Sequence, residues 1–325
     1  MKFVTFHRPG DPRPRLGLDN RDEYSYTDLT GRFPDDPDFA SMLALIDGGQ
    51  PALDKAWAAY LRLDADSIVQ RDVVTLLAPF RPRRLRDCSL IVAHLRPSLV
   101  RTVQWLGTHG DERPLPTAMA ATDRLMSALY DPAASIGFAD RDPDTGAAPG
   151  GVLTWPSASE ILDYELELAV VIGKSGRDVT AEDAEAHIFG YTVYNDWSLR
   201  DVQARNILGS GDVHGDAKDF PHSNAIGPCV VTKDEVPDPR GLAMTVRVNG
   251  QVWGRGSSSE MVHGFDDAVV ELSRGADVRA GEVWGTGTVP GGSSFELGRR
   301  LPRPALVELE VERIGTLAHY VVPES

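Results

Sequence analysis

Two glutamates open a segment that is otherwise apolar, DYELELAVVIG (residues 163–173). The segment is typical of a β-strand, in which side chains alternate between faces, so Glu165 and Glu167 share one face. Further along, Ala169 and Val171 make that face apolar as well. An uncompensated buried carboxylate is expensive, and a divalent cation would supply the compensation. The alternative is an edge strand whose glutamates face water, as most glutamates do.

A second strand, in GYTVYNDWSLRDVQ (190–203), ends at Asp196 and then enters a helical turn. Arg200 and Gln203 follow four and seven residues later, so the three side chains could share one face of that turn. An acid, a guanidinium and an amide that converge are typical of a site that recognises an anion or a carbonyl. The alternative is that Asp196 only caps the turn that follows it.

The composition restricts the class of partner. The 325 residues carry 33 Lys and Arg against 48 Asp and Glu, which gives a formal net charge of −15. Such a surface repels phosphate backbones and anionic lipid, which argues against nucleic acid and membrane partners. The two cysteines lie far apart without CxxC spacing, so neither a disulfide framework nor a thiolate zinc site is expected. The first residues lack the apolar stretch of an export signal, and we expect a cytoplasmic protein.

The order of the predicted elements indicates an α+β fold with two domains. Residues 1–83 are typical of a small N-terminal α+β domain, with short strands, a helix over about 38–63 and a strand at 73–80. Residues 84–325 make the second domain, with a turn-rich excursion at 139–151 and mostly strands after it. Strands and helices do not alternate regularly, and nucleotide-binding, P-loop, zinc-protease and serine-hydrolase motifs are all missing from the sequence.

Four segments together resemble the catalytic domain of the fumarylacetoacetate hydrolase family, in order and spacing: YELELAVVIG, GYTVYNDWSLRDVQ, AKDF and GEVWGTGT. The resemblance is to the larger, two-domain members, and it implies a mixed β-roll that holds Mg²⁺, Mn²⁺ or Ca²⁺ through carboxylates. RDCSLIVAH (86–94) is similar to the stretch that supplies a further carboxylate and the catalytic histidine, here His94. The metal ligands that the resemblance implies are Asp87, Glu165, Glu167 and Asp196. All-oxygen ligands of this kind suit a hard cation.

The same resemblance implies roles for residues nearer the C-terminus. Lys218, in GDAKDF, matches a catalytic lysine at the metal and substrate end of the site, and Glu296, in GGSSFELG, matches the glutamate that orients the histidine and water. Substrate oxygens would meet Ser89, Arg200, Gln203 and Thr288. Ser89 stands where members that cleave fumarylacetoacetate carry a tyrosine, and position 103 is valine instead of their arginine. These departures argue against fumarylacetoacetate itself as the substrate.

We therefore expect a metal-dependent hydrolase that cleaves a C–C bond in a small β-diketo or 2-oxo acid, such as an acylpyruvate or a fumarylacetoacetate-like compound. His94 would activate the water that attacks the metal-chelated dicarbonyl, because histidine titrates near working pH, and His109 is the competing base. One alternative is a decarboxylase, lyase or isomerase that acts through a metal-bound enolate. Another is a non-catalytic metal-binding protein on the same fold. The family's usual state implies a homodimer.

Overall fold

The computed structural model describes residues 1–108, 135–209 and 214–324, so the competing base His109 lies outside the described residues. Strands dominate and few helices accompany them, which makes the fold α+β as expected. No helix in the described ranges is long and apolar enough to cross a membrane.

The helices of the described residues are α1 (Leu29–Arg32), α2 (Met42–Leu61), α3 (Leu95–Thr108), α4 (Arg200–Gly209) and α5 (Phe265–Ser273). The strands of the first half are β1 (Lys2–Arg8), β2 (Asp11–Asp19), β3 (Ser25–Asp28), β4 (Ile68–Gln70), β5 (Thr75–Leu77), β6 (Arg84–Cys88), β7 (Phe138–Arg141), β8 (Gly146–Ala147), β9 (Val152–Trp155) and β10 (Leu162–Asp163). Those of the second half are β11 (Leu166–Ile172), β12 (Gly176–Arg177), β13 (Ile188–Asp196), β14 (Ser198–Leu199), β15 (Asn224–Thr232), β16 (Ala243–Val248), β17 (Gln251–Ser257), β18 (Asp277–Val278), β19 (Glu282–Gly285), β20 (Ala305–Val311) and β21 (Gly315–Pro323).

A large mixed sheet carries the candidate site near its middle. Its order is β4-β3-β2-β1-β15-β13-β11-β19-β6-β7, with β19 and β6 parallel. Strand β11 lies between β13 and β19, and all seven of its residues are buried, as its continuous apolar run predicts. Glu165 is 4% exposed and Glu167 is 1% exposed. The edge-strand alternative for these glutamates is therefore wrong.

The large sheet is the middle layer of the molecule. On one face, Leu168 and Val170 of β11 share a core with Val307 and Leu309 of β20, which belongs to a five-stranded sheet of order β17-β16-β20-β21-β9. On the other face, Ala169 and Val171 share a second core with Leu45 and Ile46 of α2. The alternation of β11 side chains thus separates two cores, and the Glu167 side chain starts on the α2 side.

The N-terminal strands join the same sheet, because β1 pairs with β15 across the predicted division at residue 83. The predicted helix over 38–63 is shorter, at Met42–Leu61, and it breaks at Gly49, where φ is 57° and ψ is −144°. Of the predicted strand at 73–80 only Thr75–Leu77 pairs. The division into two domains stays a prediction.

The segment at 139–151 is only partly the turn-rich excursion that its Asp, Pro and Gly content predicts. Its first residues complete β7, which pairs with β6 so that Arg141 lies opposite Leu85. Residues Gly146–Ala147 then form β8 beside β15. Turn-forming residues do lie between the two strands, where Asp142 accepts a hydrogen bond from the Asp144 N–H at 2.9 Å.

Candidate metal and catalytic site

Three strands of the large sheet bring three carboxylates together. Asp196 is the last residue of β13, Glu167 is the second residue of β11, and Asp87 is the fourth residue of β6. One oxygen atom from each residue lies within 4.8 Å of the other two. Three of the four side chains predicted to bind a metal therefore form one cluster, to which residues more than a hundred positions apart contribute.

Two glycines of the GEVWGTGT segment make room for this cluster. A Cβ atom at Gly285, on β19, would collide with Glu167 Oε2 and would lie 2.7 Å from the Tyr194 ring. Gly287 has a φ of +81°, which glycine adopts readily, and its N–H donates to Glu167 Oε2 at 3.0 Å. Gly285 and Gly287 thus permit the close approach of the Glu167 carboxylate.

The electrostatics of the cluster favour a bound cation. Burial, together with the neighbouring charge of Asp196, raises the pKa of Asp87 to about 7. Burial and the charge of Asp87 likewise raise the pKa of Glu167 well above its usual range. Three mutually repelling carboxylates in a protein interior either keep protons or bind a counter-cation. A donor set made only of carboxylate oxygens fits Mg²⁺, Mn²⁺ or Ca²⁺.

Glu165 lies beside the cluster, but cationic side chains hold both of its oxygens. Lys218 Nζ donates to Glu165 Oε2 and also lies 2.7 Å from Asp196 Oδ2. Arg200 Nη2 lies 2.6 Å from Glu165 Oε1. Burial alone would raise the pKa of Glu165, but the charges of Arg200 and Lys218 hold it well below its usual range. Glu165 therefore connects the carboxylate cluster to the cationic side chains of Arg200 and Lys218.

His94 lies between two carboxylates. Its Nδ1 atom is 3.1 Å from Glu296 Oε2 and its Nε2 atom is 3.2 Å from Glu165 Oε1. The Gly291 N–H donates to both oxygens of Glu296, at 3.0 and 3.1 Å, which fixes that carboxylate. Burial disfavours the charged ring, but the hydrogen bonds to Glu165 and Glu296 outweigh it and raise the pKa of His94. An oriented histidine of this kind can take up and release a proton at a fixed place.

The interpretation that Asp196, Arg200 and Gln203 share one helical face is wrong. Residues Ser198–Leu199 form β14, and helix α4 begins only at Arg200. Asp196 therefore belongs to a strand and is not the cap of that helix. Arg200 Nη1 still donates to Gln203 Oε1 at 3.1 Å, so two of the three residues do meet.

A cavity of about 290 Å³ lies over these groups. Its described lining includes eight of the predicted site residues, namely Asp87, Ser89, His94, Glu165, Arg200, Gln203, Lys218 and Thr288. Apolar side chains of α3, Leu95 and Leu99, form part of the wall. The Ser89 hydroxyl accepts the Gly137 N–H at 2.8 Å, and both residues line the cavity. The cavity lining thus combines charged groups with apolar side chains.

Two buried residues of the site were not predicted from the sequence. Asp163 Oδ2 accepts from Arg200 Nε at 2.9 Å, and its other oxygen accepts from the Ser294 N–H at 2.8 Å, two residues before Glu296. Arg141 lies 2.6 Å from Asp196 Oδ1. Asp163 begins the same segment as the two glutamates, and its position next to them was the available signal. Arg141 lies among turn-forming residues, and nothing local marks it.

Comparison with known proteins identifies the family. A family model described as "Fumarylacetoacetate (FAA) hydrolase C-terminal" matches residues 117–322. The chain belongs to the fumarylacetoacetate hydrolase family. The human "Oxaloacetate tautomerase FAHD2A, mitochondrial" is 30% identical over 99% of this chain and 92% of its own length. The Bacillus subtilis (strain 168) "Oxaloacetate tautomerase YisK" is 37% identical over 49% of this chain and 52% of its own.

Solved structures share the fold along the whole chain. The fumarylacetoacetate hydrolase from psychrophilic Exiguobacterium antarcticum has a TM-score of 0.74 at 25% identity and covers 100% of both chains. Maleylpyruvate hydrolase from Sphingobium sp. SYK-6, in complex with manganese(II) and pyruvate, has a TM-score of 0.72 at 20% identity and also covers 100% of both. At that identity the second likeness concerns the fold alone.

Proposed function

We propose that this chain is a divalent-cation-dependent enzyme that interconverts the keto and enol forms of oxaloacetate or a similar small 2-oxo dicarboxylic acid. The observation that carries the proposal is one cavity in which Asp87 and Glu165 lie beside His94 and Lys218. The names of the relatives that match over 99% of this chain support oxaloacetate as the substrate. Isomerisation was the alternative expectation from the sequence, and these relatives favour it over C–C hydrolysis.

In this proposal Asp87, Glu167 and Asp196 hold the cation, with Glu165 as the fourth carboxylate at its border. A divalent cation bound there supplies a Lewis acid that polarises the 2-oxo group and stabilises negative charge on its oxygen. The side chains that would orient the substrate carboxylates along the cavity wall are Ser89, Arg200, Gln203 and Thr288.

His94 carries the proton in the proposed reaction. It takes a proton from the carbon next to the 2-oxo group, and the electron pair moves onto the 2-oxo oxygen. The buried ammonium group of Lys218 stabilises that developing charge. His94 then gives the same proton to the oxygen, which completes the enol without net gain or loss of protons. Glu296 fixes His94 Nδ1, so Nε2 is the atom on the Glu165 side of the ring.

The loss of enol absorbance from freshly dissolved enol-oxaloacetate tests this proposal. We expect protein loaded with Mn²⁺ to exceed the uncatalysed rate and EDTA to remove the excess. His94→Asn should lower the rate by about 10²- to 10⁴-fold, the usual contribution of a general acid–base group. His7→Gln is the matched control, because His7 lies on β1 outside the lining of the cavity. A rate for loaded wild type equal to the uncatalysed rate would contradict tautomerase activity.

Hydrolysis of an acylpyruvate is the second candidate, and the His94–Glu296 hydrogen bond favours it. A histidine oriented by a carboxylate can activate water as well as move a substrate proton. Product analysis of a small acylpyruvate panel distinguishes the two functions. Pyruvate and a carboxylic acid that appear only with cation would support hydrolysis, whereas unchanged diketo acid would exclude it for that panel.

We also propose the homodimer and the cytoplasmic location expected from the sequence. Light scattering coupled to gel filtration checks the first, since a dimer has twice the 35.3 kDa mass of the chain. The names of several relatives include "mitochondrial", and subcellular fractionation of the source cells would distinguish the two locations.

A further inference from the structure

A buried arginine, Arg141, contacts one member of the carboxylate cluster. Arg141 is the last residue of β7, and its side chain is fully enclosed. Its Nη1 atom lies 2.6 Å from Asp196 Oδ1, and its Nε atom donates to Asp219 Oδ1 at 3.1 Å. Carboxylates from two different segments of the chain thus contact one guanidinium group. The planar guanidinium of arginine presents several donors for such contacts, whereas lysine has a single ammonium group.

Further hydrogen bonds hold that guanidinium group in place. Asp219 Oδ1 also accepts from Asn224 Nδ2 at 2.9 Å. Asn224 Oδ1 accepts from the Tyr194 hydroxyl at 2.5 Å, and that hydroxyl in turn accepts from Arg141 Nη1 at 3.4 Å. The four side chains therefore close a ring, to which the central strands β13 and β15 contribute Tyr194 and Asn224. A ring of this kind leaves Arg141 little freedom to move.

Asp196 lies between two cationic side chains, which contact different oxygens of its carboxylate. Arg141 Nη1 forms an ion pair with Oδ1, an oxygen that accepts no hydrogen bond from the described residues, while Lys218 Nζ donates to Oδ2 at 2.7 Å. Lys218 lines the cavity, whereas Arg141 is not part of its described lining. Arg141 Nη2 has no hydrogen-bond partner among the described residues. A buried guanidinium group that is incompletely paired is a poor contribution to stability, which favours a role in the site.

We propose that Arg141 is a positioning residue for the cation site, which orients Asp196 through Oδ1 so that Oδ2 is presented to the cation. This inference rests on the proposed function, because it assumes that Asp196 binds a divalent cation. Partners that orient metal ligands from behind change metal affinity by about 10- to 100-fold when they are removed. Arg141 acts through Asp196 and makes no contact with substrate.

Calorimetric titration of the full-length protein with Mn²⁺, without substrate, tests the inference. We expect Arg141→Gln to raise the Kd for Mn²⁺ by about 10- to 100-fold, and Arg141→Lys to raise it less because the charge remains. Asp219→Asn removes the second anchor of Arg141 and should raise the Kd as well. If Arg141→Gln fails to give a cooperative unfolding transition in EDTA, Arg141→Lys and Asp219→Asn decide the question.

Arg86→Gln is the matched control. Arg86 is also buried, on the neighbouring strand β6, but it pairs with Asp140 and Glu282 on the side away from the cluster. Its Kd should stay within about twofold of wild type, as expected for an independent site. An unchanged Kd in the Arg141 and Asp219 variants, or an equal loss in Arg86→Gln, would overturn the inference. Wild type that binds no Mn²⁺ would overturn it together with the proposed metal centre.

Discussion

Raising the pH from about 5 to about 8 in EDTA should destabilise this protein, because the native state keeps a proton that the unfolded chain releases. The pKa of Asp87 is about 7 in the folded protein against its ordinary 3.8. Between these values the folded state binds more protons than the unfolded state, so the free energy of unfolding falls as the pH rises. The raised pKa values of Glu167 and His94 act in the same direction, whereas burial lowers the pKa of His319 to about 4 against its ordinary 6.5, which acts in the opposite direction.

The magnitude follows from Asp87 alone. The raised pKa of Asp87 corresponds to a loss of about 4 kcal/mol in the free energy of unfolding once Asp87 is ionised in both the folded and the unfolded protein. About 3 kcal/mol of this stability is lost between pH 5 and pH 8, because the rest has already been lost below pH 5, where Asp87 of the unfolded chain begins to ionise. For a chain of this size the contribution of Asp87 alone corresponds to a Tm about 5 °C lower.

Thermal unfolding across that pH range, with EDTA and with saturating Mg²⁺, measures the effect. The cation replaces the protons in the cluster, so we expect its stabilisation of the fold to be larger at the higher pH. Asp87→Asn has no charge to release, and its Tm in EDTA should depend less on pH than that of wild type. A wild-type Tm in EDTA that falls no more steeply with pH than that of Asp87→Asn would refute the reasoning, because His319 acts equally in both proteins.

Three further substitutions give separate outcomes. Gly285→Ala should weaken Mn²⁺ binding in calorimetry, because the added methyl group meets Glu167 Oε2, and unaltered affinity would contradict the clearance argument. Glu296→Gln should lower kcat for enol-oxaloacetate by about a hundredfold or more while the Kd for Mn²⁺ stays unchanged, since it acts on the proton carrier. Asp163→Asn should cost about 3–5 kcal/mol of stability, seen as a lower Tm, because Arg200 loses a buried partner.

The parts of the site that lie on long apolar strands could be predicted from the sequence. The run after Glu167 is apolar on both faces, which only a central strand can bury. The strand that ends at Asp196 is also buried along its whole length, although it carries Thr192 and Asn195. His94 and Glu296 were found through the family resemblance, and they meet at 3.1 Å although 202 positions separate them.

Other parts depended on pairings that no local pattern records. Arg141 reaches Asp196 only because β7 pairs with β6 at the edge of the sheet, while its own neighbours in sequence favour a turn. Arg200 was expected to share a helical face with Asp196. The short strand β14 places it at the start of a helix instead, where Asp163 and Glu165 bind it.

The pairing of β1 with β15 determines how the chain can be divided in the laboratory. A fragment that starts after residue 83 would lose β1 and leave the edge of β15 open at Val230 and Val231, with unpaired backbone groups. It would also uncover the apolar surface on which α2 packs. An open strand edge beside apolar surface is a template for self-association. The first 83 residues therefore protect the rest of the chain from aggregation. We expect a fragment of residues 84–325 expressed alone to precipitate.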